Sequence, residues 1–327
     1  MRLVLAVFVA LAVVGCSGDD DDSSATTEPR DTTTTTTEPA APTAAQLCAQ
    51  AQPVAPAVLV AQPELTETSG IGSSVTNPGV VWAHNDSGGN PEVFAIGEDG
   101  ADRGRYGVET AEAHDWEDMA IGPGPDDSAD SLYLGDIGDN GSSRASVTIY
   151  RAAEPALPAD PAAASGTITD VNTLTLTYAD GARDAETLLA DPVGGDLYVV
   201  SKEWGGGPTG AYRIPAESLG SGDPIVMERV ADLPISPGQL VTGGDISRDG
   251  SLIAVRTYET LWLWERRQDQ TVAEALATPP CQAPVATEPQ GEAVAFAADG
   301  KGYLTVSEGV QPPLNRFALP AGEPPSG

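Results

Sequence analysis

Histidine is almost missing from this chain, with two in 327 residues, and cysteine numbers only three. There is no HxH, no HExxH and no free cysteine pair, so the usual zinc sites are excluded. Basic residues are scarce as well: 16 Lys and Arg stand against 48 Asp and Glu, a net charge of −32. Phosphate backbones and anionic membranes are held by basic patches, so this balance excludes nucleic acid as a partner. A GxSxG elbow is absent, and no serine has a Ser-His-Asp context. The glycine-rich EWGGGPTG does not open a helix, which removes a phosphate loop and leaves a connecting loop. Long helical periodicity is missing, and beyond the first residues no apolar run is long enough to span a bilayer.

What is present begins with an address. Arg2 precedes an apolar run from Leu3 to Val14, too short for a transmembrane helix and suited to a signal-peptide core. It ends in VVGC, which resembles the bacterial lipoprotein cleavage box. That resemblance implies removal of residues 1–15 and a lipid on Cys16, so that a lipid is the only membrane anchor and the protein faces the extracellular or periplasmic side. Residues 16–43 are Thr-, Pro- and Asp-rich without an apolar period, and read as a disordered tether. The two remaining cysteines, Cys48 and Cys281, form an even pair in an oxidising compartment, which predicts a disulfide.

Residues 44–320 carry a repeat, followed by a tail at 321–327. Five segments share an acid, a short apolar strand, a Gly or Asp turn and a second apolar strand. They start ETSGIGSSV at Glu67, EDMAIGPG at Glu117, ETLLADPVGG at Glu186, DISRDG at Asp245 and EAVAFAADG at Glu292. The leading acids are 50, 69, 59 and 47 residues apart, the length of a four-stranded propeller blade with variable outer loops. Outer strands follow in EVFAIG, SVTIYRA, GAYRIP, TLWLWE and a weak EALAT. The last repeat lacks its outer strand, which AVLVAQ near residue 58 supplies. The expectation is an all-β, monomeric β-propeller of five blades, closed by an N-terminal strand. Six blades are the alternative if the long repeat from 117 to 185 hides another strand set.

First strands of a propeller line the central channel and run the same way, so equivalent residues meet at one mouth. This alignment predicts a carboxylate ring of Glu67, Glu117, Glu186, Asp245 and Glu292, with Asp86 and Asp136 joining it as ligands. A second tier holds Asn85, Lys202, Glu203, Arg256 and Glu308, and His114, Trp116 and Asp139 border the pocket. Clustered carboxylates need raised pKa values or a cation. Oxygen donors of this kind suit Ca²⁺, with Mg²⁺ and Mn²⁺ as alternatives. Lys202 and Arg256 can instead balance the acids internally as a salt-bridged plug. Both histidines abut acidic motifs, HND at His84 and HDWED at His114, either as general base or as orienting partner of a carboxylate.

The motifs WAHNDSG, DWEDMAIG, GDIGDN, DAETLLADP, GDLYVVSKE and VTGGDIS resemble a group of secreted or lipid-anchored propellers of high-GC bacteria. More distantly, the acid-led strands are similar to phytase-like, esterase-like and gluconolactonase-type propellers. That resemblance implies Ca²⁺ at the channel mouth. Two functions follow. One is a binding module that presents a cation to a small anionic ligand or an envelope protein. The other is a metal-dependent hydrolase of a phosphoester, lactone or ester, with His84 or Glu117 as base and Lys202 and Arg256 steadying an oxyanion. Glycoside cleavage by a carboxylate pair is a minor third.

Overall fold

The computed structural model describes residues 41–125, 129–158 and 165–320. Cys16, the leader, most of the tether and the tail lie outside the described residues. Helix α1 (Ala44–Gln50) opens the described chain and is followed by two short strands, β1 (Gln52–Pro53) and β2 (Val58–Leu59). Then come four strands in an antiparallel meander, β3 (Thr68–Ser73), β4 (Val80–Asn85), β5 (Glu92–Gly97) and β6 (Asp102–Val108). The next meander is built from β7 (Trp116–Pro123), β8 (Asp130–Asp136), β9 (Val147–Ala153) and, after an excursion, β11 (Asn172–Tyr178). The excursion is β10 (Ser165–Ile168), which adds in parallel to the edge of β6. It is the only extra strand among the described residues of the long repeat.

The third meander comprises β12 (Ala185–Ala190), β13 (Leu197–Ser201), β14 (Gly210–Ile214) and β15 (Ile225–Asp232). The fourth holds β16 (Val241–Ile246), β17 (Leu252–Thr257), β18 (Leu261–Glu265) and β19 (Cys281–Ala283). The last has β20 (Gly291–Phe296), β21 (Gly302–Ser307) and β22 (Pro313–Ala318), completed by β1 and β2, which both pair antiparallel with β22. The predicted N-terminal closure is therefore present. Hydrogen bonding divides the strands into four sheets, one of them eight-stranded, because the outer strands β11 and β15 pair in parallel and join two meanders. EALAT does not form the expected outer strand. Its first three residues fall in helix α2 (Val272–Leu276), started by a Thr271–Glu274 capping box, and β19 takes the edge instead.

The first strands β3, β7, β12, β16 and β20 pack side by side in that order, and β20 returns to β3. Five apolar cores follow the same cycle. Trp82, Met119 and Leu134 fill one, Leu188, Val199 and Tyr212 the next, and Leu189, Ile253 and Trp264 the third. Leu263, Phe296 and Tyr303 fill the fourth, and Ile71, Phe94 and Leu304 close the cycle. This explains the sequence texture. Inner strands such as β12, β17 and β20 are buried at every position and read as continuous apolar runs, whereas the outer β15 alternates between buried and exposed. The architecture is all-β and β-propeller-like. A Cys48–Cys281 disulfide, with 6.1 Å between Cα atoms, ties α1 to β19.

Candidate functional site

A β-bulge sits near the start of every first strand and decides which side chain faces the channel. The ladder slips by one residue between Trp116 and Asp118, between Ala185 and Thr187, between Val241 and Gly243, and between Gly291 and Ala293. In β3 the corresponding slip lies between Thr68 and Ile71. The skipped residues are Ser69, Glu117, Glu186, Thr242 and Glu292. A bulge re-aims a side chain out of the alternating register, so these five form the true inner ring. It carries three carboxylates and two hydroxyls. Each hydroxyl reaches the neighbouring strand: Ser69 Oγ donates to the Glu117 carbonyl, and Thr242 Oγ1 donates to those of Gly291 and Glu292 at 3.1 and 3.0 Å.

Two predicted ring members are therefore misplaced. Glu67 is exposed and stands two residues before the bulge, the position that Asp115 and Asp184 occupy in their own meanders. Asp245 stands three residues past Thr242, inside the stack. It is half-buried there and lines a cavity on that side, accepting from the Ile246 and Phe296 N–H groups at 2.8 and 2.7 Å. Burial pushes its pKa up to about 7 against the pull of those two donors.

The second tier is set by the residue after each second strand. Asp86 N–H donates to the Glu67 carbonyl, Lys202 N–H to that of Asp184, and Glu308 N–H to that of Gln290. Asp86, Lys202 and Glu308 are thus equivalent and face the mouth, and Tyr258 holds the same place after β17. Arg256 falls two residues earlier and, like His84 at the matching position of β4, turns away into the core. Arg256 is fully buried. It pairs with Glu288 and donates to the Ala293 carbonyl at 2.8 Å, so it cannot steady an oxyanion at the mouth. His84 is equally buried, its Nδ1 2.8 Å from the Asn85 carbonyl and its ring edge-on to Trp116 at 5.5 Å. Burial lowers its pKa to about 4, which makes it a weak base, and its enclosure in the core puts it out of reach of a ligand at the mouth.

At the mouth, ligand oxygens of Asp86, Asp115 and Glu117 all lie within 4.8 Å of one another. Gly138 of GDIGDN lies against this group, and a Cβ there would collide with Glu117 Oε1 and Asp115 Oδ2. Burial, then the neighbouring carboxylates, raises all three pKa values, that of Asp115 to about 6 and that of Glu117 well above the usual range. Burial and the Glu186 charge raise Glu292 to about 8, and burial also raises Glu308. Lys202 is the cation among these groups. Its Nζ lies 2.8 Å from Glu186 Oε1 and donates to Tyr258 Oη at 3.0 Å. Burial alone would lower the lysine pKa, but Glu186 more than reverses this and holds it charged, while burial pushes Glu186 itself upward.

No family model matches this chain, and no curated protein matches it. Among solved structures it is similar to Kuenenia stuttgartiensis hydrazine synthase, at 12% identity and a TM-score of 0.42, covering 79% of this chain and 97% of that one.

The other predicted residues have structural partners. Asp136 is 1% exposed and lies 2.7 Å from Arg144 Nη1, which withdraws it from the ligand group. Asp139 accepts from the Ser143 and Arg144 N–H groups at 2.6 and 2.7 Å and shapes the loop after β8. Asn85 holds the Glu64–Glu67 segment through three hydrogen bonds. Trp116 is buried between meanders, Nε1 donating to the Glu112 carbonyl at 2.8 Å. His114 is exposed, 3.6 Å from both Glu112 and Asp136, and Glu203 accepts from Ser201 Oγ at 2.8 Å. Three acids that matter were not singled out by sequence: Asp115, Asp184 and Asp118. For the first two a signal exists, since D-x-E occurs in both DWED and DAET. Asp118 is fully enclosed and crosses the channel. Oδ1 accepts from Met119 N–H at 2.8 Å, and Oδ2 from Leu188 and Gly244 N–H at 2.9 and 3.1 Å. Burial raises its pKa well above the usual range even against these three donors.

Proposed function

We propose that this chain is a lipid-anchored, extracytoplasmic five-bladed β-propeller whose acidic mouth holds a divalent cation and presents it to a ligand or an envelope protein. The blade count takes the parallel β11–β15 pairing as contact between two blades rather than as one sheet. The anchor rests on VVGC and Cys16, and the orientation on the same leader.

The convergence of Asp86, Asp115 and Glu117 within 4.8 Å carries the cation reading. Three carboxylates at that spacing repel one another unless protons or a cation intervene, and the nearby lysine is already engaged by Glu186. The glycine at 138 supports it, since any larger residue would push Asp115 and Glu117 apart. An all-oxygen set of carboxylates suits Ca²⁺, with Mg²⁺ or Mn²⁺ second. Glu67, Glu186, Glu292 and Glu308 would add negative potential around the site rather than direct ligation, and a small anionic molecule would enter through the cation.

Hydrolysis of a phosphoester, lactone or ester is a second reading, favoured by one observation. In this reading the cation rests on Asp86 and Glu117, and Asp115, raised to about 6, is the third carboxyl, which accepts or returns a proton. A bound cation would supply Lewis acidity there. With His84 and Arg256 buried and Lys202 engaged by Glu186, Asp115 is the side chain left to hold the proton, and the cation would have to steady negative charge.

The test is a thermal melt of the full chain in EDTA and then in millimolar Ca²⁺, Mg²⁺ or Mn²⁺. Saturation at about 100 times Kd adds about 2.7 kcal/mol, and Glu117→Gln should abolish the shift. A melt unmoved by any of the three, in protein shown free of metal by elemental analysis, overturns the cation reading. Turnover of a phosphoester or lactone panel only when the metal is present would favour the hydrolase.

A further inference from the structure

Trp204 is 55% exposed, whereas Trp82, Trp116 and Trp264 are at most 1% exposed. It follows β13 at the acidic mouth and precedes Gly205, Gly206 and Gly207, which bring no side chain over it. Polar contacts hold the indole in place instead. Nε1 donates to Asp184 Oδ2 at 2.7 Å, and Asp184, 2% exposed, accepts in turn from Asp139 N–H at 2.8 Å. Lys202 Nζ lies 5.0 Å from the ring centroid on one side, and the exposed part of the ring meets solvent.

An indole held open by polar contacts, rather than packed, offers a fixed ring face to a cationic group. The charge around it makes the same selection. Glu67, Asp86, Asp115, Glu117 and Glu308 stand at this mouth against the ammonium of Lys202 and the guanidinium of Arg144, the latter paired with Asp136, so anions are repelled and cations attracted. Donation of the indole N–H to a carboxylate feeds electron density into the ring and strengthens its pull on a cation. Lys202 shows how this mouth holds an amine: a carboxylate at 2.8 Å, a tyrosine hydroxyl at 3.0 Å, and the Trp204 and Tyr258 rings each 5.0 Å away. One demand is left unmet beside it. Glu292, 4% exposed and on the same inner ring as Glu186, has a buried Oε2 with no hydrogen-bond donor.

We infer that the mouth takes an alkylammonium ligand, with the open part of Trp204 stacking on the cationic head and the surrounding carboxylates supplying its counter-charge. This site does not require the divalent ion, so the two readings stand or fall separately. The experiment uses the full chain in EDTA, with choline and N-acetyl-lysine amide as probes, followed by tryptophan emission and calorimetry. At least one probe should perturb emission and give saturable heat that fades as salt rises. Trp204→Ala should weaken binding by about tenfold, as loss of a cation–π contact implies. Because it also takes a donor from Asp184, Trp204→Phe, which loses the same donor but keeps a ring, serves as its control. Trp204→Phe should retain part of the affinity. A response to choline alone identifies a quaternary head group as the source, and a response to the amide alone identifies a basic side chain. No saturable heat with either probe, or equal affinity in Trp204→Ala, overturns the inference. A calcium-insensitive melt with intact amine binding would remove the cation reading and leave this one.

Discussion

Replacing Asp118 by alanine should unstitch the centre of the channel. One carboxylate serves three first strands, accepting from Met119 on β7, Leu188 on β12 and Gly244 on β16. Alanine leaves three backbone N–H groups without an acceptor in a place that water does not reach. Each such group costs about 1–3 kcal/mol. The gross loss of about 3–9 kcal/mol is offset by relief from burying the carboxyl itself, whose raised pKa reports that strain. A net loss of about 2–4 kcal/mol is expected, large for a single substitution. Equilibrium urea unfolding followed by tryptophan emission measures it as a lower midpoint at unchanged slope. Asp118→Asn should cost nearly as much, because one amide oxygen cannot serve donors on both sides and its NH₂ would face another N–H. A midpoint within about 0.5 kcal/mol of wild type in Asp118→Ala would mean that those N–H groups have other acceptors, and the stitching argument would fail.

Two further outcomes follow from the same geometry. Reduction, or the Cys48→Ser/Cys281→Ser pair, opens a link spanning 233 residues, and the chain-entropy relation puts its worth near 5 kcal/mol; an unchanged urea midpoint in reductant would refute that closure role. Asp245, half-buried with a folded pKa near 7 against 3.8, binds its proton more tightly in the folded state. Its contribution is therefore complete below pH ~4 and lost as pH rises through ~7, by up to about 4 kcal/mol. Asp245→Asn should lack this slope, so parallel stability profiles for the two proteins between pH 4 and 8 would contradict the assignment.

Much of the architecture is legible in the residues because propeller strands are short and punctuated. Acid-led strands, AVLVAQ as closing strand and the cysteine pair each follow from local pattern plus one topological rule. EALAT misled because its helical signal is a single capping box, Thr271 with Glu274, against a strand-like neighbourhood. The site was legible only in part. Glu117, Glu186, Glu292, Asp86 and Lys202 reach the mouth as read. Glu67 and Asp245 do not, because the leading acid of a segment is not always the bulged residue. The invariant is the bulge, which a pattern of period two cannot reveal. Asp118 had no outward sign at all: adjacent to Glu117, it looks like one more member of an acidic run, and only the approach of β12 and β16 makes it a crosslink.

The bulge register also explains why a ring with a repeated backbone supports an off-axis site. Equivalent positions carry Ser69, Glu117, Glu186, Thr242 and Glu292, so chemistry varies while geometry repeats. Ser69 and Thr242 are committed to carbonyls of the next strand, and Glu186 is committed to Lys202. That leaves Glu117 as the inner carboxylate flanked by two more acids, Asp115 from its own approach to β7 and Asp86 from the neighbouring meander. A central cation would need several free inner carboxylates facing one point. What the chain provides is two, Glu117 and Glu292, and only Glu117 has further acids converging on it, on the side toward β4. Any ion or ammonium held here should therefore respond to changes in Asp86, Asp115 and Glu117. Changes in Ser69 or Thr242 should affect stability and leave binding in place.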